Sequence, residues 1–186
     1  MPLVVHNTAS APDRSRPTLE RTLRTLGFVP NLYGVLAGSP ALLRGYTSLS
    51  DIFNSTSLNP VERQVVLLAI SVENGCEYCV AAHSAIASGQ GVPGEMIAAL
   101  RDGSPLTHAR LEALRAFTCD LVRNRGWMRD DEMRSFLDAG FTDEQVLDVI
   151  LGIGLKTMSN YLNHIAATPL DPPFSAHAWR RQAQEA

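Results

Sequence analysis

Two cysteines and a histidine are the residues of this sequence with the clearest capacity for chemistry. Cys76 and Cys79 form a Cys-x-x-Cys pair, and His83 follows four residues after the second cysteine. If a helix begins near Cys76, its rotation of about 100° per residue places all three residues on one face. The axial rise is about 6 Å from Cys79 to His83 and about 10 Å from Cys76, so His83 reaches the second cysteine more easily.

A dithiol with an imidazole near a helix N-terminus is typical of redox chemistry. The helix dipole and the imidazole both favour the thiolate, which is the reactive form of cysteine. A thiolate that attacks a peroxide becomes a sulfenic acid, and a neighbouring cysteine can convert it to a disulfide. Two other interpretations stay open. The pair could be inert and buried, or it could bind zinc if His164 or Glu73 completed the ligand set.

Composition excludes several classes of protein. The chain has 186 residues, of which 45% are hydrophobic, and its formal net charge is −3. This is globular composition, and the absence of a basic run argues against nucleic acid or an anionic membrane as partner. The longest apolar run, Val65 to Ile70, is far shorter than the roughly 20 residues of a membrane-spanning helix. No secretory signal is recognisable, so the expected location is the cytoplasm.

Helix start and stop signals recur along the chain from about residue 18. Asn59-Pro60 with Glu62 opens one helix, and Thr142 with Gln145 forms a capping box that opens another. The last helix is apolar on more than one face, which favours a core helix or a subunit interface. We predict one all-α domain at 18–175, an N-terminal arm at 1–17 and a C-terminal tail at 176–186. The predicted helices include 40–55, 60–73, 76–89, 94–101, 107–124 and 143–167.

The segment 89–94 reads Gly-x-Gly-x-x-Gly, the pattern of a dinucleotide-binding loop. That fingerprint requires a preceding β-strand, and here the pattern follows a predicted helix. It is therefore expected to be a turn between helices, and the sequence predicts no cofactor and no metal.

The cysteine segment resembles the carboxymuconolactone decarboxylase superfamily, specifically its alkylhydroperoxidase, AhpD-like branch. The Cys-x-x-Cys-x-x-x-His motif is the most specific part of a resemblance that covers about residues 25–174; the other similar segments are 29–32, 39–43, 57–63, 160–164 and 168–171. The resemblance implies an AhpD-like helical bundle that assembles as a homo-oligomer, a trimer or a hexamer. It also implies a thiol-dependent peroxidase that reduces a hydroperoxide substrate through a dithiol/disulfide cycle and is regenerated by a thiol or dithiol reductant.

The resemblance also assigns roles to individual residues. It makes Cys79 the peroxide-reactive cysteine, Cys76 the resolving cysteine and His83 the proton relay. The family pattern has a glutamate where this chain has Gln64, and an amide can hydrogen-bond but cannot take a proton. Glu62 is a candidate substitute, although its position also fits a capping box. Two other functions stay open: a cofactor-free lyase like the decarboxylase branch, and a non-catalytic redox-sensing module.

Overall fold

The computed structural model describes residues 3–181, and those residues form nine α-helices, one 3-10 turn and no β-strand. The helices are α1 (Arg16–Leu26), α2 (Asn31–Leu36), α3 (Pro40–Asn54), α4 (Pro60–Glu73), α5 (Glu77–Gly89), α6 (Gly94–Arg101), α7 (Ala109–Arg123), α8 (Asp130–Asp138) and α9 (Asp143–Ala166). The 3-10 turn is Pro172–His177. The predicted all-α class is confirmed, and each of the six predicted helices ends within two residues of its expected position.

The two terminal segments contact the helical core. The backbone N–H of His6 donates to the carbonyl of Gly34 at 3.0 Å. Near the other end, the indole N–H of Trp179 donates to the carbonyl of Arg101 at 3.1 Å. The predicted boundaries at 17 and 175 stay predictions. Residues 1–2 of the arm and 182–186 of the tail lie outside the described residues.

Helix α4 is the centre of the core because every residue from Gln64 to Ser71 is buried. It packs against α5, α7 and α9, so its apolar side chains are covered on several sides. A reciprocal capping box fixes its N-terminus: the Asn59 side chain accepts from the backbone N–H of Glu62 at 3.0 Å, and the Glu62 carboxylate accepts from that of Asn59 at 2.9 Å. The start of α4 is therefore set locally by the sequence.

A tight turn joins α4 to α5 and positions the first cysteine. The backbone N–H of Gly75 donates to the carbonyl of Val72, and that of Cys76 donates to the carbonyl of Ser71, both at 2.9 Å. This pair of bonds is a Schellman motif, which requires a left-handed residue; Gly75 has φ +65°. Cys76 then serves as the N-cap residue of α5. Cys76 therefore completes the C-terminal cap of α4 and is also the N-cap residue of α5.

Helix α9 packs one side against α3 and α4 and exposes apolar residues on the other. The close approach depends on Gly152, since a Cβ there would lie 2.9 Å from the ring of Phe53. The exposed apolar side chains of α9 are Leu147, Ile150, Tyr161 and Ile165. Such a face fits the predicted homo-oligomer, which stays a prediction. Neither α9 nor any other helix within residues 3–181 combines the length and hydropathy needed to cross a membrane.

The glycine-rich segment 89–94 is a turn between two helices, as predicted. Helix α5 ends at Gly89 and α6 begins at Gly94. Between them Gly91 has φ +77°, in the left-handed region that glycine adopts without strain. No strand precedes the segment, so it lacks the context of a dinucleotide-binding loop.

Candidate active site

The two cysteines of the motif lie side by side at the N-terminus of α5. Cys76 is the N-cap residue, and Cys79 is the third residue of the helix, where the dipole favours negative charge. Both are buried, with exposed fractions of 0% and 1%. The Cys76 thiol hydrogen-bonds to the Cys79 sulfur. The pair is therefore placed as a dithiol/disulfide cycle requires.

A stripe of polar side chains on α9 faces this dithiol. The amide Nδ2 of Asn163 donates to the Sγ of Cys79 at 3.2 Å and to the Sγ of Cys76 at 3.8 Å. The Oγ of Ser159 lies 3.8 Å from the Sγ of Cys79. Lys156 is 1% exposed, and its Nζ has no hydrogen-bond partner among residues 3–181. The dithiol thus has polar contacts and a buried cation beside it.

Sequence reasoning missed Lys156 and Ser159 and left the role of Asn163 open. Positions 156, 159 and 163 are spaced by three and four residues, so they share one face of α9. Polar residues at that spacing inside an otherwise apolar helix were the available signal. The sequence did not indicate which other helix that face contacts.

These surroundings hold the pKa of Cys79 well below its ordinary value. Burial by itself raises the pKa of the thiol, but it is outweighed by the hydrogen bond from Cys76 and by the positive charge of Lys156. The pKa of Cys76 is raised, first by its hydrogen bond to Cys79 and then by burial. The two opposite shifts favour a proton on Cys76 and negative charge on Cys79. Negative charge at Cys79 is in turn favoured by the nearby Lys156.

His83 and Gln64 contact each other, as the family pattern implies for those two positions. The Nδ1 of His83 lies 3.2 Å from the Oε1 of Gln64. Because a carbonyl oxygen only accepts, this orientation assigns the ring proton to Nδ1 and leaves Nε2 as an acceptor. Burial, and then the charge of Lys156, lowers the pKa of His83, so the ring is neutral near pH 7.

Helix geometry predicted that His83 lies within reach of Cys79, but the two side chains are not hydrogen-bonded in the described part of the chain. Both line the same cavity. A bound molecule or a solvent molecule in that cavity could connect them. His83 therefore lines the cavity without a hydrogen bond to the Cys79 sulfur.

Glu62 lies at the N-terminus of α4 and is not among the residues that line the cavity. Its Oε1 accepts from the Nε of Arg110 at 3.2 Å, and its Oε2 belongs to the capping box described above. The Arg110 guanidinium in turn stacks over the ring of Phe141. The capping interpretation of Glu62 is confirmed. Since its carboxylate is held by the cap and by Arg110, we leave it out of the proposed proton relay.

Cys79 lies in the wall of an apolar cavity of about 420 Å³, which we call the Cys79 cavity. Its polar lining, besides Cys79 and tyrosine hydroxyls, consists of Ser50, Asn54, Gln64, His83, Gln90 and Lys156. Its aromatic lining consists of Phe28, Tyr33, Tyr46, Phe53, Tyr78 and Phe174. This size and polarity suit an organic molecule with a large apolar part and one reactive polar group.

Tyr78, between the two cysteines in sequence, is held rigidly by three partners. Its hydroxyl donates to the Oδ2 of Asp171 at 2.5 Å and accepts from the backbone N–H of Leu32 at 3.3 Å. Its ring packs edge-on against Phe174. Asp171 also accepts from the backbone N–H of Asn31 at 3.0 Å. The segments 29–32 and 168–171, noted in the sequence for their resemblance, therefore meet at this tyrosine.

No complete set of zinc ligands surrounds the dithiol among the described residues. Glu73 pairs with Arg123, its Oε1 lying 2.5 Å from Nη2. His164 is exposed at a recess next to Cys76. Within residues 3–181 no group of three or more His, Cys, Asp or Glu side chains could hold a metal ion.

Comparison with known proteins agrees with this geometry. Residues 40–118, which contain Cys76, Cys79 and His83, match the model of the carboxymuconolactone decarboxylase family. This segment is therefore similar to the carboxymuconolactone decarboxylase family. The resemblance seen in the sequence is thereby confirmed for the family domain. No curated protein matches the sequence significantly.

Solved structures of the family fold extend the likeness over nearly the whole chain. An uncharacterized peroxidase-related protein from Ralstonia eutropha JMP134, described as an alkylhydroperoxidase AhpD core, is 23% identical with a TM-score of 0.82, covering 94% of this chain and 95% of that one. A peroxidase-related protein from Silicibacter sp. TM1040 is 21% identical with a TM-score of 0.80, covering 93% of each chain. The debrominase Bmp8 is 17% identical with a TM-score of 0.78, covering 94% and 95%. At these identities the likeness establishes the AhpD-like fold.

Proposed function

We propose that this protein is a thiol-dependent peroxidase that reduces organic hydroperoxides through Cys79 and Cys76. The observation that carries the proposal is the environment of Cys79: its thiolate is favoured by Lys156 and Cys76, and it lies in the wall of an apolar cavity. A thiolate is the form of cysteine that attacks peroxides. The apolar lining favours a hydroperoxide with an organic substituent over hydrogen peroxide.

The first step forms a sulfenic acid on Cys79. The thiolate attacks the terminal oxygen of the hydroperoxide, a sulfur–oxygen bond forms, and the oxygen–oxygen bond breaks. The organic alkoxide that leaves takes up one proton and departs as an alcohol. His83 lines the same cavity and presents an unprotonated Nε2, so we propose that this nitrogen takes up a proton from solvent and passes it to the leaving alkoxide oxygen.

The second step forms the disulfide. The Cys76 thiol, already hydrogen-bonded to the Cys79 sulfur, attacks the sulfenic acid and releases water. Over both steps two thiols lose two electrons, and the hydroperoxide becomes an alcohol and water. The amide of Asn163 contacts both sulfurs, so it is placed to orient them through this exchange.

Lys156 favours the Cys79 thiolate in place of the glutamate that the family pattern has at the position of Gln64. A carboxylate paired with His83 would raise the basicity of the imidazole, which then removes the thiol proton. Here a buried ammonium group favours the thiolate directly, and it lowers the pKa of His83 at the same time. We propose that activation of the nucleophile is electrostatic and that His83 handles only the proton of the leaving group.

The test is a thiol titration of the reduced protein before and after one equivalent of an organic hydroperoxide. We expect loss of two thiols per chain, with Cys119 left free, and formation of one equivalent of the corresponding alcohol. Cumene hydroperoxide and hydrogen peroxide are compared in parallel, and the organic peroxide should react faster. Retention of all three thiols, with the protein folded, would contradict the proposal.

The two alternatives from the sequence predict other results. A cofactor-free lyase would turn over a lactone or a β-keto acid and would keep that activity when both Cys76 and Cys79 are replaced by serine. A redox-sensing module would lose two thiols once but would not consume peroxide repeatedly in the presence of a reductant. Continuous peroxide consumption with an added thiol therefore separates the three functions.

A further inference from the structure

A second recess, separate from the Cys79 cavity, opens beside Cys76. It has a volume of about 350 Å³, and it lies between the start of α5 and the end of α9. Its lining includes Cys76, Glu77, Tyr78, Asn163, His164 and Thr168, and we call it the Cys76 recess. Tyr78 lines both spaces, whereas Cys79 lines only the cavity and Cys76 only the recess. The two cysteines of the dithiol therefore border different spaces.

The Cys76 recess has buried polar atoms with no partner. The Oδ1 of Asn163 and the Oγ1 of Thr168 are buried, and neither has a hydrogen-bond partner among the described residues. A buried polar atom without a partner is costly, and it is often satisfied by a bound molecule. In this amide orientation the Asn163 oxygen only accepts, so the matching group on a ligand is a hydrogen-bond donor, such as an N–H or O–H group.

We propose that the Cys76 recess admits a low-molecular-weight thiol bearing a hydrogen-bond donor such as an amide N–H group, which reduces the Cys76–Cys79 disulfide by attacking Cys76. This inference rests on the proposed function, since it concerns the step that regenerates the dithiol. A small thiol fits the site better than a cysteine on a protein surface because the Cys76 sulfur is fully buried at the bottom of the recess. A nucleophile must be inserted to reach it.

The chemistry of disulfide exchange favours the same sulfur. The incoming thiolate attacks the Sγ of Cys76, the protein disulfide breaks, and its electron pair stays on Cys79. The thiol with the lower pKa is the better leaving group, and in this dithiol that is Cys79. A second molecule of thiol then attacks the mixed disulfide, releases the oxidised small disulfide and leaves Cys76 protonated. Two small thiols thereby supply the two electrons that the protein disulfide takes up.

The first experiment locates the mixed disulfide. The protein is oxidised with diamide and freed of diamide, treated briefly with one equivalent of N-acetylcysteamine, quenched with excess N-ethylmaleimide, and sequenced by tandem mass spectrometry. We expect the N-acetylcysteamine adduct on Cys76 and the maleimide on Cys79. The reverse distribution would overturn the proposal. Because diamide forms the disulfide without a peroxide, this result does not depend on whether the protein is a peroxidase.

The second experiment places a larger side chain at an exposed position of the Cys76 recess in one variant and of the Cys79 cavity in another. His164 lies at the Cys76 recess and Ile86 at the Cys79 cavity, and both side chains are exposed, so a larger side chain can be accommodated without disturbing the core. Displacing reacting atoms by about 1 Å can slow a reaction about a hundredfold. We therefore expect His164→Trp to slow disulfide reduction by N-acetylcysteamine about tenfold or more. Oxidation by cumene hydroperoxide should be unchanged. The matched variant, Ile86→Trp, should do the opposite.

A third measurement tests the N–H donor. Thr168→Val removes the buried hydroxyl and keeps the shape of the side chain, and one lost hydrogen bond corresponds to a factor of about three to ten. That loss is expected with N-acetylcysteamine and not with ethanethiol, which has no hydrogen-bond donor besides its thiol. Equal reduction rates in His164→Trp and in the unmodified protein would overturn the proposal. So would reduction by thioredoxin but by neither small thiol. If peroxide fails to oxidise the dithiol while these results hold, only the proposed function fails.

Discussion

Cys79 and Cys119 are both buried cysteines on helices, with exposed fractions of 1% and 3%. The pKa of one thiol is nevertheless lowered from the ordinary value for cysteine, and that of the other is raised. On α7, burial and then the negative charge of Glu73 raise the pKa of Cys119 to about 12. On α5, the hydrogen bond from Cys76 and the charge of Lys156 outweigh burial and lower the pKa of Cys79. The protein therefore contains an inert thiol and an activated one in equally dry surroundings.

The comparison shows that burial alone does not decide whether a cysteine reacts. Removing a thiol from water always disfavours its charged form, and at Cys119 the nearest acid adds to that effect. At Cys79 the pKa falls instead of rising, because one buried cation and hydrogen bonds to the sulfur outweigh the effect of burial. Changes at these neighbours should therefore move Cys79 toward the behaviour of Cys119.

The largest effect is expected from removing the activated sulfur itself. Cys79→Ser should abolish peroxide consumption, whereas Cys119→Ser, the matched substitution at the inert thiol, should leave it unchanged. Cys76→Ser should allow a single reaction and leave a sulfenic acid on Cys79 that dimedone traps. Mass spectrometry that finds the dimedone adduct on Cys76 in the Cys79→Ser variant would reverse the assignment of the two cysteines.

The next largest effect is expected from Lys156→Met, which keeps an unbranched side chain of similar length and removes the charge. A neighbouring opposite charge shifts a pKa by about one to three units, so the pKa of Cys79 should rise by that amount. Where the thiol is mostly protonated, each unit lowers the thiolate fraction about tenfold. We therefore expect peroxide reaction at pH 7 to slow between about tenfold and a thousandfold.

The pH profile of Lys156→Met separates this effect from misfolding. Because the thiolate is present only above the pKa, the variant should recover as pH rises above the raised pKa, and the unmodified protein should stay flat over the same range. Lys156→Arg, which keeps the positive charge, should retain more activity at pH 7 than Lys156→Met. A uniform loss at every pH would contradict an electrostatic role.

A smaller loss is expected from Asn163→Leu, which removes the donor 3.2 Å from the Cys79 sulfur. A hydrogen bond to a charged group contributes about 1.5–3 kcal/mol, so the thiolate should lose about one to two pKa units of stabilisation. Asn160→Leu is the control because Asn160 is buried on the same helix but accepts from Asn74 at 2.9 Å instead. If both variants slow the reaction equally, Asn163 acts through packing alone.

The smallest effect is expected from Gln64→Glu, which restores the carboxylate of the family pattern. A carboxylate paired with His83 raises the pKa of the imidazole, but Lys156 already favours the thiolate, so little further thiolate can form near pH 7. The change in rate should stay below about threefold, and it should grow in the Lys156→Met background, where most of Cys79 is protonated. Stopped-flow rates for the four proteins of this cycle give the measurement. Equal effects in both backgrounds would mean that the two activating groups are independent.

The local parts of the site could be predicted from the sequence. Cys76, Cys79 and His83 lie within one helical segment, so the periodicity of a helix was enough to place them together. The cap formed by Asn59 and Glu62 is also a contact over three residues, and it was found as expected. Gln64 was identified only through the resemblance to a family, and the structure places it against His83.

The long-range parts could not be predicted. Lys156 and Asn163 are about eighty residues from the dithiol in sequence, and nothing in a helical pattern states which face of α9 meets α5. The position of Tyr78 depends on Asp171 and Leu32, which come from opposite ends of the chain. The Cys76 recess likewise exists only where α5 and α9 meet.

From the sequence alone follow the all-α class, the ends of six of the nine helices in the described part of the chain, and the alignment of two cysteines and a histidine at the start of α5. These features depend on capping and on the helical repeat. The charges around Cys79, and the separate spaces that the two cysteines line, depend instead on how α5 and α9 pack together. The physical reason is that the pKa of a buried group depends on the charges and donors around it in space. For Cys79 the decisive cation, Lys156, is supplied by a distant helix.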